Sequence, residues 1–265
     1  LAKDRSHQIK AVMLVQNETS TGVANRCLEV RQAIDRAKHP ALYMVDVISS
    51  LASFDFRMDE WQVDVVVGGS QKGLMLPPGM SFTGVSARGL KAAEQAKTPR
   101  AYWDWRPLLN EGRQVRFPGT APVHLFFGLQ ESLKMLREEG LAAIFARHHR
   151  LAEAARTAAR VWSGNAGPQL YPTDPRVQSD SLTTMLMPEE CDGDQFRAIC
   201  LDRFNVSLGG GLGPLKGRVF RIGHMGDLNE AMLLGALGVV EMGLRLAGVP
   251  HGQGGVQAAM EYLAA

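Results

Sequence analysis

Cysteine is scarce in this chain. Its 265 residues hold three, Cys27, Cys191 and Cys200, which form no close pair and leave one unmatched. That argues against a disulfide framework and makes a reducing cytoplasm the expected setting. Excess charge of either sign is also missing: 29 lysines and arginines face 27 aspartates and glutamates, a formal +2. No strong field therefore draws the chain to nucleic acid or to a membrane surface. No apolar run approaches the ~18 residues that a spanning helix needs. Leu1 to His7 carries no apolar signal-peptide core, and no initiator methionine stands at the start. Internal repeats, low-complexity tracts and charged tails are absent as well. What is present is 45% hydrophobic residues, over a length that suits one large or two ordinary domains.

The apolar residues are organised. Ile9–Val15, Ala41–Val47 and Val63–Val67 are near-continuous apolar runs, and Asn25–Lys38 between the first two has helical spacing that Pro40 ends. Such runs alternating with a helix are how strands of a parallel sheet read when both faces are covered, with ligand loops at the strand C-terminal ends. Ser86–Lys97 predicts a short helix, Pro99–Arg116 is irregular, and Pro122–Glu139 and Leu141–Trp162 predict two long helices punctuated by Gly140. Beyond them come strand-like Ser181–Met187, helix-like Gly193–Phe204, short strands at Val206–Leu208 and Arg218–Ile222, and a long helix at Leu228–Leu246. The expected organisation is an α/β domain over residues 1–140, followed by a linking helix and a small α+β domain over 141–265.

Two residues stand out at the expected sheet rim. Asp46 closes an apolar strand, where an unpaired carboxylate is costly. Lys72 follows the next strand inside Gly68-Gly-Ser-Gln-Lys-Gly73. Each has an ordinary reading, the aspartate as a cap or turn residue and the lysine as a solvated amine. Together at matching strand ends they suit pyridoxal phosphate, whose ring nitrogen a carboxylate keeps protonated and whose aldehyde a lysine amine captures. Arg221 lies in the apolar strand Val219-Phe-Arg-Ile222, and its planar fork fits a substrate carboxylate. An internal ion pair, for example with Asp227, is the alternative.

Three segments, Asn17-Glu-Thr-Ser-Thr-Gly-Val23, Val45-Asp-Val-Ile-Ser-Ser50 and Gly69-Ser-Gln-Lys-Gly-Leu-Met-Leu-Pro-Pro-Gly79, resemble the class V aminotransferases of the fold-type I pyridoxal-phosphate enzymes. Gly217-Arg-Val-Phe-Arg-Ile-Gly-His-Met-Gly-Asp-Leu-Asn229 looks most like the serine–glyoxylate branch, kin of the alanine–glyoxylate enzymes. The resemblance covers essentially the whole chain, in order. It implies a three-layer large domain with a mostly parallel sheet, N-terminally incomplete, plus a small C-terminal domain. It implies pyridoxal 5′-phosphate as cofactor, with Lys72 as the Schiff-base lysine and Asp46 on the pyridine nitrogen. Ile48 would lie against one ring face, Thr19 on the phenolic oxygen and Gln71 on the phosphate. Thr120 would reach the phosphate of a neighbouring subunit, which implies a homodimer with shared sites. Phe117 stands where some relatives carry a tyrosine. Arg221 would hold the substrate carboxylate. The implied reaction moves an amino group from serine or alanine to glyoxylate, giving hydroxypyruvate or pyruvate and glycine. Relatives also carry, upstream, a glycine loop and helix N-terminus for the phosphate and an aromatic that stacks on the ring; neither precedes Leu1 here.

Other features support less. The glycine run Gly209–Gly217 precedes a short strand and is broken by Pro214, so it fails the context of a dinucleotide loop; a tight connection near the substrate mouth is expected. His148 and His149 are adjacent, so on a helix they diverge and cannot share a metal; no metal site is expected. His224 either shapes substrate choice or is structural. Trp103 and Trp105 lack the basic surroundings of a nucleic-acid platform. Two competing readings are a truncated or degenerate relative that acts only in dimerisation or binding, and a cysteine desulfurase, which needs an exposed nucleophilic thiol on a mobile loop.

Overall fold

The computed structural model describes residues 1–109, 117 and 119–265. Residues 110–116 of the irregular stretch, and Pro118 beside Thr120, lie outside the described residues.

The first three apolar runs form strands β1 (Ala11–Val15), β4 (Leu42–Asp46) and β5 (Val65–Gly69), with α1 (Cys27–Arg36) between the first two. They pair in parallel in the order β1-β4-β5, and β6 (Ser81–Val85) adds an antiparallel strand beyond β5. A core of Cys27, Ile34, Tyr43, Val45, Val47 and Val63 forms where α1 packs on β4. After β6 comes α2 (Ala87–Gln95), whose Ser86 side chain accepts from Gly89 N–H as N-cap. The long helices are α3 (Val123–Glu139) and α4 (Leu141–Trp162), with Gly140 between them at φ +84°, a conformation suited to glycine.

A second sheet has the order β7-β8-β10-β9, from β7 (Gln169–Leu170), β8 (Leu182–Leu186), β9 (Gly209–Gly210) and β10 (Val219–Gly223). Helices α5 (Gly193–Phe204), α6 (Glu230–Leu246) and α7 (Gly255–Ala264) accompany it. Its core draws on the alanine stripe of α4, Ala154, Ala155, Ala158 and Ala159, which lets neighbouring elements approach closely, and on Trp162, Phe196, Phe220, Leu233 and Leu237.

The structure differs from the sequence reading in places. Val206–Leu208 forms no strand; pairing with β10 begins at Gly209. β6, β7 and α7 were not anticipated, nor was the two-stranded hairpin of β2 (Asn17–Glu18) and β3 (Val23–Ala24). That hairpin bridges the two sheets. Asn17 Nδ2 donates to Ser49 Oγ and to Ser181 Oγ, each at 2.8 Å. Ser179 N–H donates to the Gly22 carbonyl at 3.0 Å, and Val23 bridges Gln178.

Candidate active site

β4 delivers Asp46 to the C-terminal rim of the first sheet, in register with Val15 on one side and Val67 on the other. Beyond β5 the chain turns through Ser70, Gln71 and Lys72, so the carboxylate and the amine occupy the same rim. Asp46 Oδ1 accepts the Ile48 N–H at 2.8 Å. The turn reading of this residue is therefore realised for one oxygen.

Close approaches shape the rim. A Cβ at Gly69 would stand 3.0 Å from Gln71 Oε1 and 3.3 Å from Ile48 Cγ2. Its absence leaves an apolar wall and an amide facing each other across bare backbone. Gly73, next to Lys72, lies on the strand-end segment after Asp46, where a Cβ would come within 2.2 Å of the Leu51 carbonyl oxygen. The turn is also tied from within and from below. Met75 N–H donates to Lys72 O at 2.9 Å, Leu76 N–H to Ser70 O at 3.1 Å, and Ser132 Oγ on α3 to Leu74 O at 2.6 Å. Leu74, Leu76, Leu136 and Ile144 pack beneath it. The half-buried Lys72 side chain thus rises from a turn fixed on several sides.

Arg221 comes from the second sheet. It sits opposite Thr184 on β8 and Gly209 on β9, and a Cβ at Gly209 would stand 3.0 Å from its Nε. A side chain at Gly209 would therefore crowd the guanidinium. Nη1 donates to the Thr19 carbonyl at 2.6 Å, which brings the hairpin to the guanidinium. Nε is buried and unpartnered among the described residues, as is Thr184 Oγ1. Burial and the neighbouring Arg197 cation lower the Arg221 pKa from its ordinary value, and Glu18 opposes them. Among the described residues no carboxylate is ion-paired with Arg221, and the alternative partner Asp227 is exposed. A partly desolvated guanidinium with no ion-paired carboxylate has its planar fork free to take an anion.

The rim therefore unites Asp46, Ile48, Gln71 and Lys72, and the hairpin joins Thr19 to Arg221. Thr120 is exposed, and among the described residues its side chain makes no hydrogen bond to this group. Sequence reasoning missed Asn17, Ser49 and Ser181, the polar set that joins the two sheets beside the site. It left the role of His224 open. That side chain is fully buried, Nδ1 donates to Asp180 O at 3.1 Å, and Nε2 accepts from Thr183 Oγ1 at 2.9 Å. Burial, aided by Arg156, pulls its pKa down to about 3, and both ring nitrogens are taken by protein partners rather than turned to the site.

Cys27 and Cys200 are buried, and burial pushes both thiols up, Cys200 to about 11. Neither suits a desulfurase nucleophile. Among the described residues no His, Cys, Asp and Glu group could hold a metal ion, and no helix is long and apolar enough to cross a membrane.

A family model described as aminotransferase class V matches residues 1–211. The chain is 45% identical over 269 residues to a serine–glyoxylate aminotransferase of Methylorubrum extorquens, covering 99% of this chain and 66% of that protein. It is 43% identical over 263 residues to an L-aspartate–glyoxylate aminotransferase of Paracoccus denitrificans, covering 99% of this chain and 65% of that one. Among solved structures, ureidoglycine–glyoxylate aminotransferase from Bacillus subtilis has a TM-score of 0.86 at 26% identity, over 97% of this chain and 66% of its own. Against these relatives the chain spans 65% to 66% of their length.

Proposed function

The chain belongs to the class V aminotransferases and adopts their three-layer α/β fold-type I architecture, and on that premise we propose that it serves a pyridoxal 5′-phosphate-dependent transfer of an amino group to glyoxylate. Serine or alanine is the donor in this reading, with hydroxypyruvate or pyruvate and glycine as products. The observation that carries it is the shared rim of Asp46 and Lys72 with the cradle at Gly69. A flat ring between them would meet Ile48 on one side, and an anionic tail would find the Gln71 amide. The residues present thus fit the group.

Bound there, pyridoxal phosphate supplies an electron sink for the pair left when the substrate Cα–H bond breaks. The chain supplies the rest. The Lys72 amine would be the attachment point and, once freed by the substrate, the general base that takes the proton from the substrate Cα and delivers it to the cofactor carbon that bore the imine. The Asp46 oxygen not engaged by Ile48 would be the one to keep a proton on the ring nitrogen. Arg221 binds the substrate carboxylate and so orients the Cα–H bond. The Thr19 hydroxyl is assigned to the phenolic oxygen, and Thr120 to the phosphate of a partner subunit in a homodimer. Free cysteines and near-neutral charge support a cytoplasmic setting.

The test uses the full-length protein. Wild type should take up pyridoxal phosphate with a visible absorption band, and Lys72→Ala should lose both the band and amino transfer. Arg221→Ala removes charge-assisted bonds of about 1.5–3 kcal/mol, so KM for the amino acid should rise roughly 10- to 150-fold while cofactor affinity holds. A colourless wild type, or equal loss of cofactor and amino acid in Arg221→Ala, overturns the assignment.

A further inference from the structure

The turn after β10, residues 224–229, lies between α4 and the Lys72 turn, and its backbone is held from the α4 side by two side chains. His148 is buried on α4. Its Nδ1–H donates to the Ile144 carbonyl at 2.8 Å, which leaves Nε2 as acceptor for the Gly226 N–H at 3.0 Å. Next to it, Arg147 Nη1 donates to the carbonyls of Gly226 at 2.8 Å and Leu228 at 3.1 Å, while its other nitrogens bond the Glu139 carboxylate. Both backbone polar groups of Gly226 are therefore claimed by α4.

On its side away from those bonds Gly226 faces the Lys72 turn, with room for little more than its hydrogen. At φ +83° a Cβ there would stand 3.3 Å from Met75 Cγ and 4.0 Å from the Lys72 carbonyl oxygen. Met75 itself sits at φ +61° and closes the turn onto Lys72 O. Between the α4 side chains and the Lys72 backbone there is one glycine. A buried histidine is thus spent on a single backbone N–H beside the Lys72 turn.

We infer that His148 and Arg147 are positioning residues: through Gly226 they fix the height and direction from which Lys72 enters the site. This rests on the reading of Lys72 as the cofactor-bearing lysine. The geometry requires a neutral His148, because a second ring proton would face the Gly226 N–H. Burial lowers its pKa, with Arg147 acting in the same direction and Glu139 and Asp180 opposing.

The experiment compares wild type, His148→Leu, His148→Gln and Arg147→Met in the full-length protein. Borohydride reduction followed by peptide mass mapping reports whether the cofactor is attached to Lys72. A wild type without that adduct removes the reading beneath the inference and is recognised as such. With the adduct in place, the informative readouts are the pH midpoint of the visible band and the split between kcat and KM. His148→Leu and Arg147→Met should each move the midpoint by at least ~0.5 pH unit. Each should also lower kcat about tenfold with KM for the amino acid within about twofold, since small displacements of a reacting group are costly. His148→Gln, whose Oε1 accepts from the Gly226 N–H, should restore both values. If the variants carry the adduct and keep the wild-type midpoint and kcat, the inference is wrong, whatever their melting temperatures. Should His148→Leu fail to fold, Arg147→Met carries the same test from a partly exposed position.

Discussion

Gly73 owes its identity to contact rather than to conformational freedom. The chain after Lys72 lies directly on the Leu51 carbonyl, and only a bare Cα fits there. Gly73→Ala should therefore lift the Lys72 turn or push Leu51 back, at a cost of about 1–3 kcal/mol. The expected result is a lower melting temperature and faster loss of bound pyridoxal phosphate on dialysis. Retention at the wild-type rate would show that the turn can relax without moving the amine. At this scale the legible residues were those with chemistry out of keeping with their surroundings: a carboxylate ending an apolar strand, a lysine among glycines, an arginine between phenylalanine and isoleucine. Asn17, Ser49 and Ser181 were not legible. Small polar residues in loops carry no periodicity, and Asn17 and Ser181 are brought together across 164 positions of sequence.

Among the elements, α7 shows how a helix can be hidden in a sequence. It starts in the glycine-rich stretch Gly252-Gln-Gly-Gly255, which reads as a loop. Its start is held instead by a remote carboxylate. Glu241 on α6 accepts from the backbone N–H of Gly254 at 2.8 Å and of Val256 at 2.9 Å, and from Trp162 Nε1 at 3.1 Å. Gly255 is needed because a Cβ there would strike the Trp162 ring. Burial alone would raise the Glu241 pKa, but the donors from Val256, Gly254 and Trp162 hold it below its ordinary value. A depressed carboxylate contributes stability that is complete at neutral pH and is lost as pH falls through its folded pKa. Glu241→Gln should cost about 1–2 kcal/mol at pH 7, and the gap to wild type should close on acidification below pH ~4, read from urea midpoints at each pH. A gap that widens in acid would contradict the sign. β6 escaped notice for another reason: Ser-Phe-Thr-Gly-Val is short, carries a glycine and is only partly covered, so neither a buried run nor clean alternation marks it. The β1, β4, β5 and α1 pattern was legible because apolar runs and a helical stripe survive in any local window.

For the whole molecule the decisive piece is the β2–β3 hairpin, which joins two sheets that each have their own core. Asn17→Ala removes bonds to Ser49 and Ser181 at that junction and should lower stability by about 1–3 kcal/mol. Hydrogen exchange should speed up most at residues 17–24 and least in α4, whose core does not involve the hairpin. Uniform acceleration across both regions would mean that the hairpin is no independent junction. The Arg221–Thr19 bond spans 202 positions of sequence, and this has a consequence for the protein's birth. Translation proceeds at about 5–20 residues per second, so the hairpin waits roughly 10 to 40 s after synthesis before its arginine exists. Asp46 and Lys72 are synthesised in the first part of that interval, while the Thr19 carbonyl still lacks its Arg221 donor. The bond between the hairpin and the second sheet therefore closes only after Asp46 and Lys72 have both been synthesised.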